Sequence, residues 1–184
     1  MTTTIARDNF IQSLVTSLKR ELCIETEDHV WFRSNDLNVM LHVWYEDSFY
    51  SCGSSERNSP PGTFVWATSL TPIKKWLVMY NFDLLRACLD LQPFHISFKR
   101  LMPAPGWSHR PGTNDYSVEL CHDDQPTNIF TGKWSKESTN LSWFLNHSPE
   151  RLLEIAHIES TKEACQALFG MPRVPFAKPT NRRK

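Results

Sequence analysis

The sequence predicts a single α+β domain, a mostly antiparallel sheet of about six strands flanked by helices, and three observations predict it. Runs rich in β-branched and aromatic residues, among them HVWF at 29–32, NVMLHVWYE at 38–46 and YSVELC at 116–121, carry the two-residue period of half-buried strands. The C-terminal third switches to helical spacing, with helix-start residues ahead of each apolar stripe. The 184 residues are 40% apolar, with seven Trp and eleven Phe and no internal repeat, which suffices to bury one core against the entropy cost of folding. The domain is expected over residues 1–172, followed by a Pro-containing basic tail at 173–184 that carries Lys178, Arg182, Arg183 and Lys184.

Residues 8–22 place Phe10, Ile11, Leu14, Val15, Leu18 and Leu22 on one face with Asp8 or Asn9 as a cap, which predicts an amphipathic helix. HVWF and NVMLHVWYE flank the turn-prone Arg33-Ser34-Asn35-Asp36 and predict a hairpin. Residues 51–62, SCGSSERNSPPG, concentrate Ser, Pro and Gly and predict a surface loop, ahead of a strand at 63–70. A turn bearing Thr68, Ser69 and Thr71 and closed by Pro72 follows, then a helix at about 81–91 with Leu84, Leu85, Cys88 and Leu89 inward.

FHISFKRL at 94–101 alternates like a half-buried strand, and 103–115 reads as a turn region that rims a cleft together with the 51–62 loop, its Trp107 either facing that cleft or folded back onto the sheet, the latter reading being preferred. Two further strands are expected, from Tyr116 to Cys121 and from Ile129 to Trp134. Ser148 caps a helix with Pro149 at its first position and Leu152, Leu153, Ile155, Ala156 and Ile158 inward. Ser160 and Glu163 have capping-box spacing ahead of Ala164, Ala167 and Leu168, and Gly170 supplies the stop.

Composition excludes several functions. Lys plus Arg equals Asp plus Glu at 20 each, so no global field favours nucleic acid or an anionic membrane surface. Five cysteines, odd in number and never spaced C-x-x-C, argue against a disulfide framework or a zinc cage and for a reducing compartment. No secretory apolar run opens the chain, and nowhere do about eighteen apolar residues stand together. The seven His fall on different predicted elements, so no metal site is expected. No G-x-S-x-G elbow or phosphate-cradling Gly cluster is present, and the carboxylates near strand ends, Glu46, Asp47, Glu119, Asp123 and Asp124, form no pair that sequence spacing alone can assign. What remains is the run of hydroxyls Thr68, Ser69 and Thr71 where a strand ends, a common place for binding chemistry.

The order LHVWYED, a Ser/Pro-rich loop, FVWATSLTP, the Arg86-bearing helix NFDLLRACLDL, FHISFKRLMP and NDYSVEL resembles, over residues 30–135, the RolB/RolC or plast family of oncoproteins carried on Agrobacterium transferred DNA. That resemblance implies a protein of the plant host cell, in cytoplasm or nucleus, that modulates plant development and phytohormone response, as in hairy root and crown gall. It implies host plant proteins or a hormone-like small molecule as partners, without membrane or direct nucleic-acid binding. As the alternative it implies an enzyme, either a glycosidase acting on hormone conjugates or an ADP-ribosyltransferase-like protein using NAD, with no cofactor established. Carried over residue by residue, its site falls on Trp44 or Tyr45, on Thr68 and on Tyr116, with Thr68 and Tyr116 as the catalytic candidates. Trp44 and Tyr45 point to opposite faces of their strand, so only one of them can line a pocket.

Overall fold

A computed structural model describes residues 4–34, 38–56, 59–96, 99–133 and 136–177. Eight strands make one sheet: β1 (Cys23–Thr26), β2 (His29–Arg33), β3 (Val39–Glu46), β4 (Phe49–Glu56), β5 (Gly62–Ala67), β6 (Trp107–Pro111), β7 (Ser117–His122) and β8 (Gln125–Gly132). Their order is β1-β2-β3-β4-β5-β8-β7-β6, and every neighbouring pair is antiparallel. A five-strand meander and a three-strand meander therefore meet where β5 pairs with β8.

Five α-helices accompany the sheet: α1 (Asn9–Ser17), α2 (Leu70–Ala87), α3 (Glu137–Leu145), α4 (Pro149–Ala156) and α5 (Thr161–Phe169). They begin and end where local chemistry dictates. The Asp8 carboxylate accepts from Ile11 N–H at 3.1 Å, Ser148 from Arg151 N–H and Ser160 from Glu163 N–H, each offsetting an orphan helix donor. Gly170 ends α5 in the left-handed region at φ 66°.

The α+β class is as predicted, and the differences in detail have physical causes. Helix α2 begins at Leu70, eleven residues before the expected start, because Pro72 sits in its first turn, where the missing N–H has no partner to lose. The predicted 51–62 loop contains most of β4: small side chains suit a strand flanked on both sides, and ladder pairing overrides composition there. Strand β6 occupies part of the expected 103–115 turn region, and β1 was not expected. The expected strand at 94–101 is irregular over 92–96, with 97–98 outside the described residues. Its backbone is satisfied by side chains instead of a ladder: the Asp83 carboxylate accepts from Phe94 and His95 N–H, and Asn140 Oδ1 from Leu101 N–H. Leu101 forms only an isolated bridge with Phe176, so 100–102 are paired with the chain after α5.

Helix α2 is the axis of the core, with Ile73, Trp76, Leu77, Val78, Phe82 and Leu85 buried. Val30, Phe32, Leu41, Val43, Cys52, Val65 and Ala67 on the strands join the same core. Strand residues alternate between faces, so His29, Trp31, His42, Trp44, Ser51 and Trp66 project to the opposite side. That second, helix-free face carries aromatic and titratable groups where an ordinary solvated sheet would carry scattered polar ones.

Candidate functional site

The helix-free face is built by register. Trp44 lies across from His29 on β2 and Ser51 on β4, Ser51 across from Trp66 on β5, and Trp66 across from Phe130 on β8. Trp66 and Phe130 stack with centroids 5.7 Å apart and planes 12° apart, and the edge of Phe49 meets Phe130 at 6.0 Å. Beside them opens a cleft of about 450 Å³ that includes Trp44, Trp66, Phe49, Ser51 and Tyr116.

Among the described residues, the charged ones in its lining are Glu46 and Asp47, both carboxylates. They stand at the two-residue turn between β3 and β4, where Asp47 and Ser48 hold φ of 50° and 69°. Two successive positive φ values match the twist of the flanking strands. On the far rim Tyr116, 82% exposed, is set by the Asn114 side chain, whose oxygen accepts from Tyr116 N–H at 2.9 Å.

Of the four residues expected at a site, Trp44 and Tyr116 therefore share one cleft. Tyr45 points the other way, its ring 4.7 Å from that of Tyr50, and is packed against the core. Thr68 is exposed at the turn leading into α2 and is absent from the cleft lining. Glu119 is on the helix-free face but buried and engaged: Arg110 donates to it at 2.9 Å and 2.8 Å, and Asn128 N–H at 2.8 Å, so it ties β6, β7 and β8 together. Trp107 does not line the cleft: it is folded back, donating its indole N–H to Asn146 at 2.8 Å and packing against the helix-side core.

Next to the cleft runs a chain of polar side chains. Glu25 lies 3.4 Å from Nδ1 of His29, Nε2 of His29 lies 2.9 Å from Nδ1 of His42, and Nε2 of His42 lies 2.8 Å from Oγ of Ser55. His42 and Ser55 are buried. Sequence inspection separates the two histidines onto different strands. Drawing the β2–β3 hairpin around its turn would bring them together, since 29 and 31 share a face with 42 and 44.

Burial first, and the neighbouring His29 second, hold the His42 imidazole below its ordinary value against the pull of Glu25. A histidine with a lowered folded pKa contributes stability that is present above its unfolded value, about 6.5, and lost as pH falls through the folded one. The melting temperature is expected to drop between pH 7 and pH 5 by more in the wild type than in His42→Gln. Equal drops would show that His42 titration is uncoupled from folding.

A second cleft, of about 460 Å³, lies on the helical side and is lined by Phe64, Met79, Tyr80, Leu84 and Asn140 among others. Its Asn140 is committed to the fold: the amide donates to the Ile96 and Lys99 carbonyls while its oxygen holds Leu101.

A family model described as immunity protein 61 matches residues 15–157. The solved structure of Rv3902c from M. tuberculosis is similar in fold, with a TM-score of 0.69 at 15% identity over 98% of this chain and 99% of that one. No curated protein matches the chain. These findings overturn the RolB/RolC plast resemblance, and with it the transferred-DNA oncogene reading, the role in plant development and hormone response, the plant host partners and the plant-cell location. The resemblance rested on an order of blocks, hairpin then strand then helix, which any meander feeding a core helix shares. The match spans most of the domain, the whole of β2–β5 and α2 included, and the chain belongs to the immunity protein 61 family.

Proposed function

We propose that this chain is an immunity protein that neutralises a toxin by binding it, and that the helix-free face around Trp44, Trp66 and Tyr116 is the contact surface. The observation that carries the surface is the cleft itself: open aromatic rings beside two carboxylates, Glu46 and Asp47, with no basic side chain among the described residues of its lining. Rings and carboxylates together favour a guanidinium or ammonium group, through the ring quadrupole and through charge-assisted hydrogen bonds. An arginine or lysine of the toxin is the matching anchor, with the flanking sheet supplying the rest of an interface that needs about 800 Å² per partner.

Trp44→Ala and Asp47→Lys are the informative variants. Against a toxin that the wild-type chain neutralises on co-expression, Trp44→Ala is expected to weaken binding by about 2 kcal/mol, a factor of about 30. Asp47→Lys is expected to slow association most at low salt. Thr68→Ala, outside the cleft, should protect as the wild type does. Full protection and unchanged affinity in folded Trp44→Ala and Asp47→Lys would place the contact surface elsewhere.

A further inference from the structure

We propose that Glu25, His29 and His42 form a binding site for one first-row divalent transition metal ion, zinc being the leading occupant, at the β1–β2–β3 end of the helix-free face. One ligand atom from each of the three side chains can be chosen so that all lie within 4.8 Å of one another. They come from three adjacent strands, so the sheet ladder fixes their separations.

The backbone contributes a specific feature. The β1–β2 register runs Ile24 with Val30 and then Thr26 with His29, leaving Glu25 as the extra residue of a bulge. Regular pairing would already set Glu25 across from His29 on the helix-free face, and the bulge keeps it beside His29 while freeing it from the ladder. The Glu25 carboxylate lies at the edge of the His29 ring, 3.4 Å from Nδ1.

The ring facing His29 is held from behind. Ser55 Oγ, on β4 and buried, lies 2.8 Å from Nε2 of His42. With that nitrogen donating to Ser55, the Nδ1 lone pair of His42 faces Nε2 of His29. Metal-binding histidines use their second nitrogen in this way, which fixes both tautomer and ring orientation.

The two facing nitrogens stand 2.9 Å apart. Zn–N bonds of about 2.0–2.1 Å put tetrahedral ligand nitrogens about 3.3 Å apart, so a few tenths of an ångström of separation replaces the hydrogen bond between the rings by a shared cation. Glu25, with its side chain 55% exposed, follows by side-chain rotation and supplies the third bond. Two imidazoles and one carboxylate select zinc and its neighbours over magnesium or calcium, which prefer all-oxygen sets, and leave a position open to water or to a donor from a partner. Trp44 lies 6.1 Å from the His29 ring and Trp31 6.4 Å from the His42 ring, so both indoles report on the site.

The test is titration of tag-free, EDTA-treated and desalted protein with zinc chloride by calorimetry, and with copper(II) by tryptophan fluorescence. One zinc per chain, a raised melting temperature and copper quenching are expected, with His29→Ala and Glu25→Ala each weakening zinc binding by about 10-fold or more. Both substitutions fall on partly or largely exposed side chains and should leave the circular dichroism spectrum unchanged, whereas His42→Ala opens a buried position and is read only if it folds. His109→Ala, on β6, should change nothing. No zinc binding at 100-fold excess, or binding that persists unchanged in His29→Ala and Glu25→Ala, would overturn the site. Because no toxin is used, failure here leaves the proposed immunity function untouched.

Discussion

Arg86→Leu is expected to destabilise the fold by about 3–5 kcal/mol, read as a lowered urea midpoint. The Arg86 side chain is 0% exposed at the C-terminal end of α2. Its guanidinium donates to the carbonyls of Gln92 at 2.8 Å, Ala156 at 3.2 Å, Ile158 at 2.8 Å and Glu159 at 3.5 Å. Three of these carbonyls belong to the end of α4 and the residues just after it, where unpaired C=O groups and the helix dipole favour a cation. The guanidinium carbon also lies 4.8 Å from the centre of the Phe94 ring. Leucine fills much of the volume but leaves these acceptors buried without donors, and each orphaned acceptor costs about 1–3 kcal/mol. Arg86→Lys keeps the charge and loses the planar fork, so it should fall between the two. A loss below about 1 kcal/mol in Arg86→Leu would mean that water replaces the guanidinium at little cost.

Gly53→Ala is expected to cost about 2 kcal/mol or more, by a different route. Gly53 lies directly across from His42 on β3 and beside the register shift between β4 and β5. A Cβ there would collide with the Gly62 carbonyl and come within 3.0 Å of Thr63 Cα, all backbone atoms of β5 that cannot rotate away. The two strands must separate, which also displaces Ser51 beneath the aromatic cleft and Ser55 behind His42. Gly62→Ala is the matched control: its Cβ would meet only the Ser54 carbonyl at 3.9 Å, ordinary contact, so it should change stability by no more than about 0.5 kcal/mol. Thermal denaturation of both variants separates the cases, and equal melting temperatures would show that β5 yields at Gly53 without cost.

Cys52 is buried, its thiol raised well above the ordinary value by desolvation, and none of the five cysteines is in a disulfide. Among the described residues no helix is long and apolar enough to cross a membrane.

What the sequence determined by itself is whatever closes within a few residues. Ser148 and Ser160 mark helix starts three residues ahead of the N–H groups they cap, Asp8 does so as one of two adjacent candidates, Gly170 marks an end, and the β2–β3 hairpin is written in two β-rich runs around one turn. Trp44 and Tyr116 could be singled out as aromatic candidates, but their meeting in one cleft depends on β8 lying between β5 and β7. Only the tertiary structure decided that small-residue β4 is a strand, that Glu25, His29, His42 and Ser55 line up across four strands, and that Arg86 finds carbonyls 70 or more residues away. The reason is physical: capping and turn energies depend on neighbours in sequence, whereas strand register and buried polar pairing are set by which distant backbones the core brings together.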